Sequence, residues 1–308
     1  MLGGAGKTPV AIAVARALAR LGGRVALIGH AYGGSLRAPR FVAPDDAVRE
    51  VGDDALAAAR LLASDRIPVV VAPSRTEALA YAARAGATML VADGLLQAAP
   101  VAVLDAVLVV DAEEPWGGGA CPPLGDLRAP PAALLDVADH IAVLGRGPDP
   151  LALAHRLFDG LGRPGPGGLG AEPAARLCRC AVGVASGIAG ASGAGGERWE
   201  LATLARQRVG LLLAIARPHR IEKALAAHGI VPIASQVLSD HAVFTPRAIE
   251  HAARAPVEVW LTTARCAVKL PPRIGGAPVL ALEHHVDVGA LVSRLVIGSR
   301  ACDSEERS

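Results

Sequence analysis

Aromatic side chains are scarce in this chain: three Phe, two Tyr and three Trp make up 3% of 308 residues. So few rings build no stacking platform for nucleobases. The formal net charge of +2, with no Lys/Arg block, builds no phosphate-backbone footprint either. Both features argue against nucleic acid as a partner. The five cysteines (Cys121, Cys178, Cys180, Cys266 and Cys302) are odd in number and include no CxxC pair. That pattern argues against a disulfide framework or a zinc site and fits a reducing cytosol. Cys178 and Cys180 alternate within RLCRCAVGVAS, as residues on one side of a strand do. Long apolar runs are missing too. IPVVVAP and VGLLLAIA have strand length, short of the roughly 18 uncharged residues of a membrane helix. The first residues do not read as a signal peptide.

What the chain has is Ala, Val and Leu, with 52% hydrophobic and 19% charged residues, and enough length for two cores. TPVAIAVARALARLGG reads as a helix closed by Gly22-Gly23, and RVALIGH as a buried strand. GDDALAAARLLAS and SRTEALAYAARAG read as helices; IPVVVAP, ATMLVADG, AVLVVDAE and IAVLGRG read as strands. Alternation of helices with near-continuous apolar strands predicts a parallel sheet with helices on both faces. DGLGRPGPGGLGAEP reads as a linker, placed over 156–175. It divides a first domain, 1–155, from a smaller α/β domain, 176–308. In the latter, VGLLLAIA and VEVWLTT are strands and HRIEKALAAHG and TPRAIEHAARA are helices. GIAGASGAGG reads as a low-complexity surface loop.

The chain opens on GGAGKTP, running directly into the first helix. Backbone N–H groups of a Gly-rich turn and of a helix start converge on phosphate oxygens. Gly3, Gly4, Ala5, Gly6, Lys7 and Thr8 are therefore candidate ATP-binding residues. Lys7 can reach the terminal phosphates, and the Thr8 hydroxyl can bind Mg²⁺. The spacing is a variant of GxxxxGK[ST], because Met1 stands where its first glycine would be.

Other residues carry candidate chemistry with a plainer reading beside it. Asp53 and Asp54 open a helix, where they serve as dipole-matched caps or as a carboxylate that orients an attacking hydroxyl. Asp93 ends a strand, as an Asp-Gly turn or as a Mg²⁺ ligand at the ligand-facing edge of a parallel sheet. Asp240 and His241 precede a helix, as surface residues or as a proton-exchanging pair. Arg75 and Arg128 are solvated arginines or phosphate contacts. His284-His285 has no third ligand at a recognisable spacing and reads as structural.

In order along the chain, GGAGKTP, GHAYGG, VGDD, ADG, PPLGDLRAP, SDHAVFTP and TTARCAVKL resemble the motifs of the tetraacyldisaccharide 4'-kinase family. The resemblance spans Gly3 to about Leu270. It implies a P-loop NTPase-like fold and transfer of the ATP γ-phosphoryl group, with Mg²⁺, to the 4'-hydroxyl of tetraacyldisaccharide 1-phosphate. That lipid A precursor, and with it a membrane surface, would be the partner, with no obligate protein partner. The place of action would be peripheral, at the cytoplasmic face of the bacterial inner membrane. The family's base dyad maps to Asp53 and His241, one from each expected domain, so that catalysis would be coupled to domain closure.

The departures from the family pattern are His30 and Ala31 in the SRGYGG-like stretch, Ala92 in DDG, Ala129 in LREP, and Arg265-Cys266 for KD. They motivate a second reading, a non-catalytic nucleotide- or lipid-binding relative. A third is another P-loop ATPase or a small-metabolite kinase. The family also carries a membrane-associating helix and a strand ahead of the loop. Met1 is therefore expected to be an internal methionine of a longer gene product.

Overall fold

A computed structural model describes residues 4–95, 103–145 and 181–295. Gly3, Cys178, Cys180, Cys302 and the expected linker at 156–175 lie outside the described residues. The chain forms two compact units. The first comprises Met1–Leu21, Ala99–Ser186 and Val286–Ser308; the second comprises Gly22–Ala98 and Gly187–His285.

In the second unit, strands β1 (Val25–Ile28), β2 (Arg40–Phe41), β3 (Val69–Val71) and β4 (Met89–Ala92) form a sheet in the order β2-β3-β1-β4. β1 is parallel to both β3 and β4, while β2 pairs antiparallel with β3 at the edge. β1 and β3 are buried at every position, as strands covered on both faces must be. Ala26, Ile28 and Val70 pack against Ala78 and Ala82 of the helix Arg75–Arg84, which Ser74 caps by accepting from the Glu77 N–H.

In the first unit, the helix Lys7–Arg20 buries Val10, Ala11, Val14 and Ala15, a stripe at helical spacing. Its sheet is parallel, β5 (Val107–Asp111), β6 (His140–Leu144) and β7 (Ala181–Val184) in that order. Leu135 of the helix Pro131–Asp136 packs with Val110, Ile141 and Val143.

The second unit also holds a seven-stranded sheet, built from β8 (Ser186–Gly193), β9 (Arg198–Trp199), β10 (Val209–Ala214), β11 (Ala234–Leu238), β12 (Val259–Thr263), β13 (Arg273–Ile274) and β14 (Ala277–Val286). Its order is β11-β10-β12-β14-β8-β9, with β13 antiparallel to β14. β10, β11, β12 and β14 run parallel, so their carboxyl ends share one edge. β10 is buried throughout: Leu211 and Leu213 enter one core with Leu261 and Leu280, while Leu212 and Ala214 enter another with Trp260 and Phe244.

The mixed α/β architecture with parallel sheets matches the expectation. GIAGASGAGG does not. Most of it is strand β8, antiparallel to β9 through Ala191↔Trp199 and Ser192↔Arg198. Small side chains are what this strand needs, because a Cβ on Gly190 would lie 2.8 Å from the Trp199 carbonyl oxygen. Composition read as a loop is here a close approach of backbones.

Candidate active site

Gly52 ends the short helix Val48–Val51 and begins the helix Asp53–Leu62 with φ 85 and ψ 155. A Cβ there would sit 2.9 Å from the Tyr32 carbonyl oxygen, so only glycine fits. This turn places Asp53 and Asp54 in the first helical turn, where the dipole favours negative charge. Asp53 is nonetheless buried. Its carboxylate meets side chains delivered from the carboxyl edge of the seven-stranded sheet. His241 follows β11 in a turn, at φ 60, with its own N–H on the Ala214 carbonyl at 3.3 Å. Histidine is among the few non-glycine residues that tolerate this left-handed region, and such strain concentrates at functional sites. Arg265 and Lys269 follow β12 through the short helix Ala264–Ala267, which the Thr263 hydroxyl caps by accepting from the Cys266 N–H.

The contacts form one network. Nδ1 of His241 lies 2.9 Å from Asp53 Oδ1, and Lys269 Nζ donates to Asp53 Oδ2 at 2.8 Å. Arg265 Nη1 is 3.1 Å from His241 Nε2, and its Nη2 bonds Asp240 Oδ1 at 2.5 Å and the Ala214 carbonyl at 3.4 Å. Asp54 Oδ1 stands 3.6 Å from the same Nη1. The Tyr32 ring covers the imidazole at 4.6 Å between centroids. A guanidinium only donates, so Nε2 of His241 must accept, which puts the imidazole proton on Nδ1, donated to Asp53.

The charges follow from this packing. Burial alone would push Asp53 upward, but hydrogen bonds from His241 and Lys269, with the Lys269 charge, bring it down to about 2. Burial also raises Asp54 above the usual carboxylate range, an effect only partly opposed by Arg265 and reinforced by Asp53. For Arg265, burial works against the charge, and Asp54, Asp240 and Asp53 more than restore it. Asp53, Asp54 and His241 offer ligand atoms within 4.8 Å of one another. His241 and Lys269 engage both oxygens of Asp53, and Arg265 stands beside Asp54, so the carboxylates of the cluster are already charge-balanced by the protein's own cations.

In the first unit, Gly4 and Gly6 adopt φ 76 and φ 79. Gly6 is the N-cap of the helix Lys7–Arg20, with no side-chain cap and no acid in the first turn. A Cβ on Gly6 would lie 2.8 Å from Leu144 Cδ1, which lets the loop lie against the end of β6. A glycine-rich turn running into a helix start, beside Lys7 and Thr8, suits a phosphate. Arg128 follows buried Leu127, just ahead of the helix Pro131–Asp136.

In the second unit, Asp93 follows β4 as expected, and its N–H donates to the Ile28 carbonyl at 3.1 Å. Arg75 ties two strand ends together: it donates to the Gly29 carbonyl and, at 2.7 Å, to the Asp93 carbonyl. Asp53, His241 and Asp240, drawn from both halves of the sequence, all belong to this one unit. Lys269 and Tyr32 are additional members, and Arg265 figured in the sequence only as a departure. The signal for the two cations was their spacing of four after a strand end, which puts side chains on one side of a turn.

A family model for tetraacyldisaccharide-1-P 4'-kinase matches residues 1–296. The tetraacyldisaccharide 4'-kinase of Methylobacterium radiotolerans is 33% identical over 303 residues, 97% of this chain and 83% of that protein. The protein of that name from Rhodopseudomonas palustris strain BisB18 is 41% identical over 162 residues, 52% of this chain and 46% of its own length. Among solved structures, LpxK from Aquifex aeolicus, in complex with ATP, superposes with a TM-score of 0.66 at 18% identity, over 96% of this chain and 84% of that one. At that identity the likeness is one of fold.

Proposed function

The chain belongs to the tetraacyldisaccharide-1-P 4'-kinase family, and on that premise we propose that it phosphorylates the 4'-hydroxyl of tetraacyldisaccharide 1-phosphate with ATP. The observation that carries this reading is the pairing of Asp53 with His241, 188 residues apart in sequence. Asp53, at about 2, is ionised throughout the neutral range and has both oxygens engaged, so it orients and charge-balances the imidazole. His241 Nε2 is then the atom that accepts the proton of the acceptor hydroxyl. Lys269 holds Asp53 in place. The main-chain N–H groups of the glycine-rich loop, Gly3 to Gly6 in the sequence, are assigned to the phosphates, and Lys7 to offsetting the γ-phosphoryl charge. Arg128, Arg75 and Asp240 are assigned to substrate positioning, Arg75 through its hold on the Asp93 main chain. Each within its own unit, the hydroxyl of Thr8 and the carboxylate of Asp93 are oxygen donors of the kind Mg²⁺ takes, and the ion when bound would neutralise phosphate charge.

No helix among the described residues is long and apolar enough to cross a membrane. We place the protein peripherally at the cytoplasmic face of the inner membrane, where a tetraacylated acceptor resides. The test is ATP-dependent phosphorylation of tetraacyldisaccharide 1-phosphate by the native chain, Lys7→Ala, Asp53→Ala and His241→Ala. Transfer by the native chain that is lost in all three variants is the expected result. Nucleotide binding without transfer would establish the non-catalytic reading instead, and transfer to an unrelated small alcohol would establish a different kinase.

A further inference from the structure

The base assigned above is covered. Its one proton-accepting atom, His241 Nε2, is occupied by Arg265 Nη1 at 3.1 Å. A hydroxyl cannot use that lone pair while the guanidinium holds it. The same Nη1 is 3.6 Å from Asp54 Oδ1, while Nη2 is anchored on Asp240 Oδ1 at 2.5 Å. The backbone beneath is fixed by the Thr263 cap and by the Ala214 N–H donating to Cys266 Sγ at 3.3 Å. With Nη2 held by Asp240, Nη1 lies between an imidazole at 3.1 Å and a carboxylate at 3.6 Å.

We propose that Arg265 is a positioning residue that gates His241, capping the Nε2 lone pair that Asp53 leaves open by holding the proton on Nδ1, and releasing Nε2 when Nη1 shifts to Asp54. This rests on the reading of His241 as the proton acceptor. In the released arrangement the acceptor O–H bond breaks and its proton passes to Nε2. The oxygen forms a bond to the γ-phosphorus, and the bond from that phosphorus to the β,γ-bridging oxygen breaks, releasing ADP. Asp54 is the counter-charge that keeps the guanidinium paired at close range throughout, so the movement exchanges one charge-assisted partner for another. The groups facing the imidazole are Asp53, Asp54, Asp240, Arg265, Lys269 and the Tyr32 phenol. Among these, Arg265 alone donates to Nε2.

The experiment reads the imidazole itself. In the ¹⁵N-labelled full chain, with the His241 signals assigned by their loss in His241→Gln, the native protein is expected to show the proton on Nδ1. Asp53 keeps the proton there in Arg265→Gln as well, and loss of the guanidinium donor should instead move the Nε2 resonance toward that of an uncovered imine nitrogen. Arg265→Lys keeps the charge beside Asp54 and Asp240 but lacks the fork that spans Asp240 and His241. It should move the Nε2 resonance in the same way with little change in thermal midpoint, which separates gating from folding. Asp54→Asn, which weakens the second seat, should lower kcat about tenfold with KM for the acceptor unchanged. An Nε2 resonance identical to native in both Arg265 variants, or an unaltered kcat in Asp54→Asn, would overturn the gate. A native chain that transfers nothing, yet whose Nε2 resonance shifts in the Arg265 variants, would sink the kinase reading and leave the Arg265 cover on His241 standing.

Discussion

Nδ1 of His241 and Oδ1 of Asp53 stand 2.9 Å apart, although 188 residues separate them in the chain. The carboxylate accepts the Nδ1 proton and so leaves Nε2 as the acceptor. Asp53→Asn presents an amide that can turn its NH₂ toward Nδ1 and force the proton onto Nε2, against the Arg265 donor. Steady-state kinetics should show kcat reduced by about 10² to 10⁴, as for loss of an oriented base. Affinity for ATP, measured by equilibrium binding, should remain native.

Lys269 is buried against Asp53 at 2.8 Å, with its side chain 3% exposed. Removing the cation alone strands a buried carboxylate. Lys269→Met is expected to cost about 3–5 kcal/mol in urea unfolding, and the double variant Asp53→Asn/Lys269→Met distinctly less. A double variant as unstable as the single one would mean that packing of the lysine stem, not the charge, is what matters.

Stability should fall in acid with a definite sign. The folded-state value of Asp53, about 2, is below the ordinary 3.8. Its contribution is therefore complete above the unfolded value and is lost as pH drops through about 2. The difference is worth about 2 kcal/mol. Comparing native and Asp53→Asn unfolding free energies from pH 5 downward isolates this group from other carboxylates, and the gap between the two curves should narrow as the solution becomes more acid.

Gly52 has φ 85, and an added Cβ would meet the Tyr32 carbonyl at 2.9 Å. Gly52→Ala should destabilise the protein by about 1–3 kcal/mol through backbone strain. It should also lower kcat, because Asp53 follows directly and the Tyr32 ring packs, tilted, against His241. A variant less stable but of native kcat would show that the turn supports the fold without aiming the carboxylate.

Much of this was legible along the chain because it is local. The apolar run VGLLLAIA becomes the fully buried β10, and Thr245 and Pro246 begin a helix whose cap accepts from the Ala248 N–H. Asp93 at a strand end and Gly6 at a helix start are likewise consequences of nearest neighbours. Strand β8 was not legible, since Ser, Gly and Ala identify a strand only once Trp199 lies against it. The interleaving of the two units was equally hidden, because it depends on which distant segments share a core.

The amino-acid order by itself determined the helices, the buried strands, the phosphate-type loop and the succession of family motifs, all set by periodicity, caps and glycines within a few residues of one another. Only the tertiary structure decided that Lys269 neutralises Asp53 and that Arg265 covers His241. Those are hydrogen bonds between side chains carried by separate elements, and their directions exist only after the carboxyl ends of β10, β11 and β12 have been aligned beside the helix that begins at Asp53.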